Sequence, residues 1–471
     1  MPRSTTHVDW LRSKGYESFE FVFNRSPMDY AVWRKMLVAP DQLRQRMVHA
    51  LAQIFVVSVE GVAGDFSSFA VGHFLDQLDT HAFGNYRQLL EAVTLAPAMG
   101  RYLSLLGSRR ADAAGRHPDE NYAREVMQLF SIGLTMLNVD GSVQLENGAP
   151  KPSYAQNDIA GLARALTGWD YAATYSETVA TRQITPMNNV ASRHETGAKS
   201  FLGVTIAANT TGTDSLRVAL DALAGHPNVG PFIGTQLIQR MVTSNPSAAY
   251  VARVASVFNN NGAGVRGDLR ATLRAVLMDV EARDATAIRS STTHGKLREP
   301  VLRFTQWARA CNIGSASDGW RLPNLGDPAS RLGQSPMHSP SVFNFYRPGY
   351  VPPNTPLAVQ KLVAPEFQIT TETSVAGYLN FMQSVIANTT GLLGSDVGGD
   401  YAAWLPLADN PAALVAECNL VFAANRMSSA TVATVVNAVN SMATGSDTNR
   451  LRRVQAAVLI TMASPEFLVQ Q

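Results

Sequence analysis

Charge is scarce in this 471-residue sequence. Asp, Glu, Lys and Arg make up 16% of it, against about 25% in an average protein. The positive charge is also dispersed: net charge is +2 and no basic run exceeds two residues (Arg109–Arg110 and Arg452–Arg453). Phosphate backbones need clustered Lys and Arg, so nucleic acid is not expected as the main partner. Cysteine is limited to Cys311 and Cys418. Two distant cysteines cannot build a zinc cluster, and they can pair only if the fold brings their Cα atoms within about 7 Å. Long apolar runs are missing too, none nearing the roughly 18–20 residues that cross a bilayer. The first thirty residues hold no apolar signal core, so the expectation is a soluble chain or the mature part of a processed precursor. A P-loop and βαβ alternation do not occur, which argues against nucleotide-binding α/β folds.

What is present is a 46% hydrophobic composition, enough for a large core, and helical periodicity over most of the chain. Residues 41–59 place Leu43, Met47, Ala50, Leu51 and Ile54 on one stripe, with Asp41 as a candidate cap. Two short helices broken near Ala96-Pro97 are expected in 85–106. Further helices are expected at 154–167, 214–224, 228–243, 246–258, 266–281, 295–311, 366–389, 410–425, 429–442 and 448–463. Asp214, Asn245 and Asp447 are read as caps. Strand signals are thin: a hairpin over 135–148 turning at Asp140-Gly141, and a short strand at 199–207. Residues 171–213 and 313–358 read as long ordered loops, because they carry aromatic residues. The expected fold is mainly α, a large irregular multi-helix domain with long ordered loops and at most a small β-hairpin or sheet. A single helical domain over 1–471 is favoured. Its possible subdivision is an N-terminal helical part with the polar motifs (1–210), central helices (211–312), a Pro/aromatic loop (313–365) and C-terminal helices (366–471).

Four stretches carry chemistry. In "HPDENYAREVMQLF" (117–130), helical spacing puts Glu120, Asn121, Arg124, Glu125 and Gln128 within an arc of roughly 140°. Pro118 is read as the first helical residue. A solvated face explains such an arc as well as a polar pocket does. "RHETGAKSFLG" (193–203) gathers Arg193, His194, Glu195 and Lys199 in seven residues, a donor, an acceptor and an anion clamp or a plain surface turn. In "YAQNDIAGLARALTGWDY" (154–171), Asp158 opens a helix that is followed by Trp169 and Tyr171. Rings beside carboxylates suit a sugar cleft, although Trp169 could equally plug the core. "SPMHSPSVFNFYRPGYVPP" (335–353) holds His338, Phe343, Phe345, Tyr346, Arg347 and Tyr350 in a proline-stiffened segment, an aromatic wall or a buried lid.

Seven stretches together resemble a known bacterial family, catalogued as domain of unknown function 1800. They are residues 40–58, 82–104, 118–134, 158–169, 194–203, and 339–353 with 362–370, and they occur in the family's order. The resemblance implies no stated activity. It implies an exported protein, periplasmic or secreted, often encoded beside sulfatase-like exported proteins, which points to envelope or polysaccharide work. It carries over Asp119, Glu120, Asn121, Arg124, Glu125, Asp158, Trp169, His194 and Lys199 as motif positions. At Glu195 the family more often has Asp, so the longer side chain departs from its pattern.

Three functions follow as expectations. The first is an exported hydrolase acting on a carbohydrate or similar polyhydroxylated polymer. In it Glu120, Glu125, Asp158, His194 and Glu195 supply acid–base chemistry. Asn121, Arg124, Trp169, Tyr171, Lys199, Tyr346 and Arg347 bind substrate, and no cofactor or metal takes part. The second is a metal-dependent enzyme using His194 and Glu195, although no His-Glu-x-x-His occurs. The third is a non-catalytic binding or assembly protein of the cell envelope, with an envelope protein as partner.

Overall fold

The structure, a computed structural model, describes residues 3–388, 393 and 396–471. The fold is mainly α. Among the described residues the strands are short and form five two-stranded antiparallel sheets. The chain divides into two compact units, each discontinuous in sequence. The first comprises Met1–Met28, Asp41–His294 and Ser339–Asn344; the second comprises Asp29–Pro40, Gly295–His338 and Phe345–Gln471. Among the described residues no helix is long and apolar enough to cross a membrane.

The expected helices form with shifted ends. The break at Ala96-Pro97 separates Tyr86–Leu95 from Pro97–Tyr102, because Pro97 supplies no N–H and starts the second helix. The helix from 42 stops at Ala52 rather than continuing to 59. The C-terminal helix expected over 366–389 runs Glu372–Ile386, and residue 389 lies outside the described residues. Caps fall earlier than the sequence suggested. Thr211, Ser247 and Ser446 accept the free N–H groups, in place of Asp214, Asn245 and Asp447. Asp214 instead accepts the Thr211 hydroxyl at 2.8 Å.

Three helices had no stripe to betray them: His7–Ser13, Ser26–Val38 and Ser67–His81. The last is the axis of the first unit. It packs against His7–Ser13, Gln42–Ala52, Tyr86–Leu95 and Pro97–Tyr102. Eleven of its residues are buried, so its apolar and polar side chains face protein alike and no amphipathic period survives. Asp76 within it accepts the backbone N–H groups of His7 (2.8 Å) and Val8 (3.0 Å), capping the neighbouring helix from inside the core.

The 135–152 segment folds as a three-armed meander. Leu137 bridges Val143 around Asp140-Gly141, and Leu145–Glu146 pairs Ala149–Pro150 around Asn147-Gly148. Residues 199–207 make a whole hairpin, Lys199–Phe201 with Val204–Ile206. Its two-residue turn is Leu202-Gly203, both at positive φ (47° and 74°), the backbone that matches strand twist. Helix Gln156–Ala165 lies against this hairpin at Gly161. A Cβ there would sit 1.8 Å from the Ser200 carbonyl oxygen, so only glycine permits the approach.

In the second unit, Pro411–Ala423, Ser429–Asn440 and Asp447–Ala463 pack together, and Glu372–Ile386 joins them. Trp33, Phe304 and Trp307 form an aromatic core, with Trp33 and Phe304 centroids 5.3 Å apart. The long loop beyond residue 313 is ordered around its own buried Trp320, Leu322, Leu325 and Leu332. Cys311 and Cys418 are free and buried, and burial pushes both thiols up to about 12.

Candidate functional site: a buried carboxyl at a π-helical turn

The 117–130 stretch departs from a simple helix in two ways. It starts later, at Asn121 instead of Pro118, with the Asp119 carboxylate accepting the Asn121 N–H at 2.8 Å. It also changes pitch: α-helix over Asn121–Glu125 gives way to a π-helix over Val126–Ser131. Wide turns of this kind carry weaker backbone bonding and recur at functional sites. The rear of the segment is anchored in the core. The Tyr122 hydroxyl meets Thr94 Oγ1 at 2.6 Å, and the Tyr86 hydroxyl donates to the Phe130 carbonyl at 2.5 Å. Asn228 Nδ2 ties down the exit by donating to the carbonyls of Ile132 and Thr135.

The polar arc is split by burial. Asn121 is exposed and Glu120, Arg124 and Gln128 are half-buried, while Glu125 is 8% exposed. Glu120 Oε2 accepts from Arg124 (3.2 Å) and Gln156 (2.8 Å). Glu125 Oε2 is buried and, among the described residues, has no hydrogen-bond partner. Burial holds the Glu125 carboxyl above the usual carboxylate range, and the Arg124 charge only partly opposes it. Two tyrosines feel this group. Tyr102 and Tyr154 are pushed up first by their own burial and further by the Glu125 charge. The Tyr154 hydroxyl lies 3.4 Å from Gln128 Oε1. A carboxyl of raised proton affinity thus has two phenols and the Arg124 guanidinium within electrostatic reach. Neither tyrosine was singled out from sequence, since each comes from a separate segment.

The other expected acids are engaged elsewhere. Asp158 Oδ2 accepts the Ala155 N–H (2.8 Å) and Oδ1 accepts the Leu202 N–H (2.7 Å), so it caps its helix and fastens the hairpin turn. Replacing Asp158 with Ala leaves two backbone donors without this acceptor. We expect a loss of about 1–3 kcal/mol, measurable by urea unfolding; an unchanged midpoint would refute that role. Glu195 accepts the Gly197 N–H at 2.9 Å and faces Arg164 at 3.6 Å. The Gly197 N–H, with Arg164 and Lys199, holds its carboxylate below the usual range.

His194 and Lys199 converge on a residue absent from the sequence argument, Ser215. His194 Nδ1 lies 2.9 Å from the Thr167 carbonyl, which can only accept, so Nδ1 carries the proton. Nε2 then accepts from Ser215 Oγ at 3.1 Å, and Ser215 Oγ in turn accepts from Lys199 Nζ at 3.4 Å. A serine facing an oriented imidazole has the form of an activated nucleophile. This one is enclosed: His194 is 3% exposed, and Lys199 and Ser215 are fully buried. In this conformation the chain is a clamp joining the 199–206 hairpin to helices Gln156–Ala165 and Gly212–Gly225. Burial, then the Lys199 charge, keeps His194 below the usual imidazole value, against the opposing Thr167 and Glu195.

That shift fixes a pH dependence. The folded imidazole stays neutral where the unfolded one takes up a proton. Its contribution is complete above the unfolded value of about 6.5 and is lost as pH falls through the lowered folded value. Unfolding midpoints should therefore decline as pH falls below about 6.5. His194→Gln should flatten that decline, and identical slopes for both proteins would remove the assignment.

Trp169 is buried and, among the described residues, its indole N–H has no hydrogen-bond partner. Tyr171 stacks under Arg182 at 4.7 Å, beside the ion pairs of Asp65 with Arg101 and Arg182. Arg193 pairs with Asp170. Tyr346 and Arg347 lie in the second unit. There the buried Tyr346 hydroxyl donates to Glu299 at 2.7 Å, and the Arg347 N–H donates to Gln368 at 2.8 Å. Among the described residues no three His, Cys, Asp or Glu side chains gather as metal ligands. Both His194 nitrogens and both Glu195 oxygens already face protein partners.

The family model described as "Protein of unknown function (DUF1800)" matches residues 24–469. No curated protein and no solved structure matches.

Proposed function

Because the chain belongs to the DUF1800 family, whose description names no activity, we propose its function from geometry: a hydrolase acting by general acid–base catalysis on a carbohydrate or similar polyhydroxylated substrate. The observation that carries this reading is Glu125, a buried carboxyl with an unpartnered oxygen and a raised proton affinity at the start of a π-helical turn. A carboxyl whose proton affinity burial has raised is suited to giving up a proton as a general acid. Glu120, half-exposed and held by Arg124 and Gln156, is the second carboxylate.

In the reaction Glu125 gives its proton to the leaving oxygen as the bond from that oxygen to the anomeric carbon breaks. Water forms the new bond and passes a proton to Glu120. One proton leaves the site's acid and one reaches its base, so the pair is restored by exchange with solvent. Asn121, Gln128 and the Tyr154 hydroxyl supply hydrogen bonds for sugar hydroxyls. A base acting through water belongs to the inverting class. The proposal is tested by incubating the purified chain with neutral and acidic glycans and reading reducing ends and product anomer by NMR. Release with inversion is expected; an inert panel under varied pH, or release with retention, overturns it.

The exported location, periplasmic or secreted, belongs to the same proposal and is read by fractionating cells for this chain. A second reading, a non-catalytic assembly protein of the envelope, draws support from the enclosed His194–Ser215–Lys199 clamp, which spends reactive side chains on structure. It predicts stability effects without turnover.

A further inference from the structure

Away from Glu125, the first unit carries a groove of about 710 Å³, within the roughly 300–1,000 Å³ typical of small-molecule sites. Its lining is mostly apolar: Leu43, Phe83, Leu273, Leu277 and Met278. Leu43 is 52% and Met278 60% exposed, unusual for large apolar side chains and here placed on the same hollow.

Four arginines share that lining: Arg44, Arg270, Arg274 and Arg283. Two are accounted for by their neighbours. Arg44 lies over the Phe83 ring at 4.4 Å and faces Asp41 and Asp79, each at 3.9 Å. Arg283 Nε donates to the Leu277 carbonyl at 2.7 Å. Arg270 and Arg274 differ: both are exposed, and among the described residues neither makes an ion pair. Asp268, within electrostatic reach of Arg270, has its carboxylate committed to the Ala271 N–H and to Asn261. The only acid in the lining, Asp41, is buried and accepts from Gln45 at 3.2 Å.

Spacing makes the pairing specific. On helix Leu269–Met278, Arg270 and Arg274 are i and i+4, which brings like charges together at a cost to the helix. Leu273 and Leu277 follow them at i+3 of each, so the cationic and apolar side chains form one continuous stripe along the groove. An anion between the two guanidiniums relieves their repulsion, and an alkyl chain covers the leucines.

We propose that this groove binds a single-chain anionic amphiphile, an alkyl chain bearing a phosphate or carboxylate head, with Arg270 and Arg274 on the head and Leu43, Leu273, Leu277 and Met278 on the chain. The test is calorimetric titration of the full chain with decyl phosphate below its micelle-forming concentration. Saturable one-to-one binding is expected. Arg270→Glu/Arg274→Glu should weaken it by about a hundredfold, and the milder Arg274→Gln by about tenfold. Both positions are exposed, so the fold is expected to persist, and circular dichroism checks that. Met278→Glu should also weaken binding. Four results overturn the proposal: no binding of decyl phosphate, equal binding of uncharged decyl maltoside, displacement by equimolar inorganic phosphate, or attachment only to phosphatidylglycerol vesicles. The last would mark a membrane-facing surface in place of a ligand groove.

Discussion

Glu125→Gln should lower turnover by about 10²–10⁴-fold on any substrate the wild-type chain hydrolyses, the usual contribution of a positioned general acid. The amide keeps the shape of the carboxyl but has no acidic proton to transfer. Its effect should fall on kcat more than on KM, because the proton moves in the transition state. The pH profile supplies a second reading of the same residue. A general acid must be protonated, so activity should fall as pH rises through the Glu125 pKa, which burial has raised above the usual range. In Glu125→Gln that alkaline limb should vanish. Glu120→Gln should instead lower turnover by removing the base, since an amide does not accept the proton of the attacking water. Stability measured alongside separates catalysis from scaffolding. Loss of turnover at an unchanged urea midpoint supports the acid. A lowered midpoint with no turnover in either protein favours the assembly reading.

Lys296→Met should cost about 3–5 kcal/mol of stability, a large share of the roughly 5–15 kcal/mol that holds a domain together. Lys296 Nζ lies 2.9 Å from Glu366 Oε1, and the two side chains are 0% and 2% exposed. Glu366 Oε2 is already buried without a hydrogen-bond partner among the described residues. Removing the ammonium strips the other oxygen as well, in a region that water does not reach. The effect is thus mostly the penalty of stranding a charge. Replacing both partners, Lys296→Met with Glu366→Leu, should recover most of the loss, because an apolar pair has no charge to desolvate. The double-mutant cycle reads the coupling directly. Additive losses would mean that the pair is not a unit. Glu299, nearby in the same unit, accepts from Gln334 (2.6 Å) and from Tyr346. Tyr346, expected from sequence to stack on substrate, therefore spends its hydroxyl inside the second unit.

Local order was legible because it depends on neighbours in sequence. Stripes at i, i+3 and i+4 gave Tyr86–Leu95, Gly212–Gly225 and Leu269–Met278, and Pro97 marked the break before its helix. The Asp140-Gly141 turn was visible for the same reason: its backbone needs are met by the residues themselves. Family membership was also readable, since motif order survives in the linear text.

What lay beyond the sequence was the environment of each polar group, which distant segments create. Ser67–His81 has no stripe because protein surrounds it, and a period needs one wet face. Asp158, Glu195 and Glu125 look alike as letters. Asp158 and Glu195 became backbone acceptors, while Glu125 was left buried with a bare oxygen, and only packing set them apart. His194 and Lys199 were visible five residues apart, but Ser215, which joins them, comes from another helix. The sequence by itself determined the striped helices, such as Gly212–Gly225 and Leu269–Met278, since a stripe follows from contacts a few residues long. The tertiary structure decided which charges stay wet, because burial is a property of what folds on top.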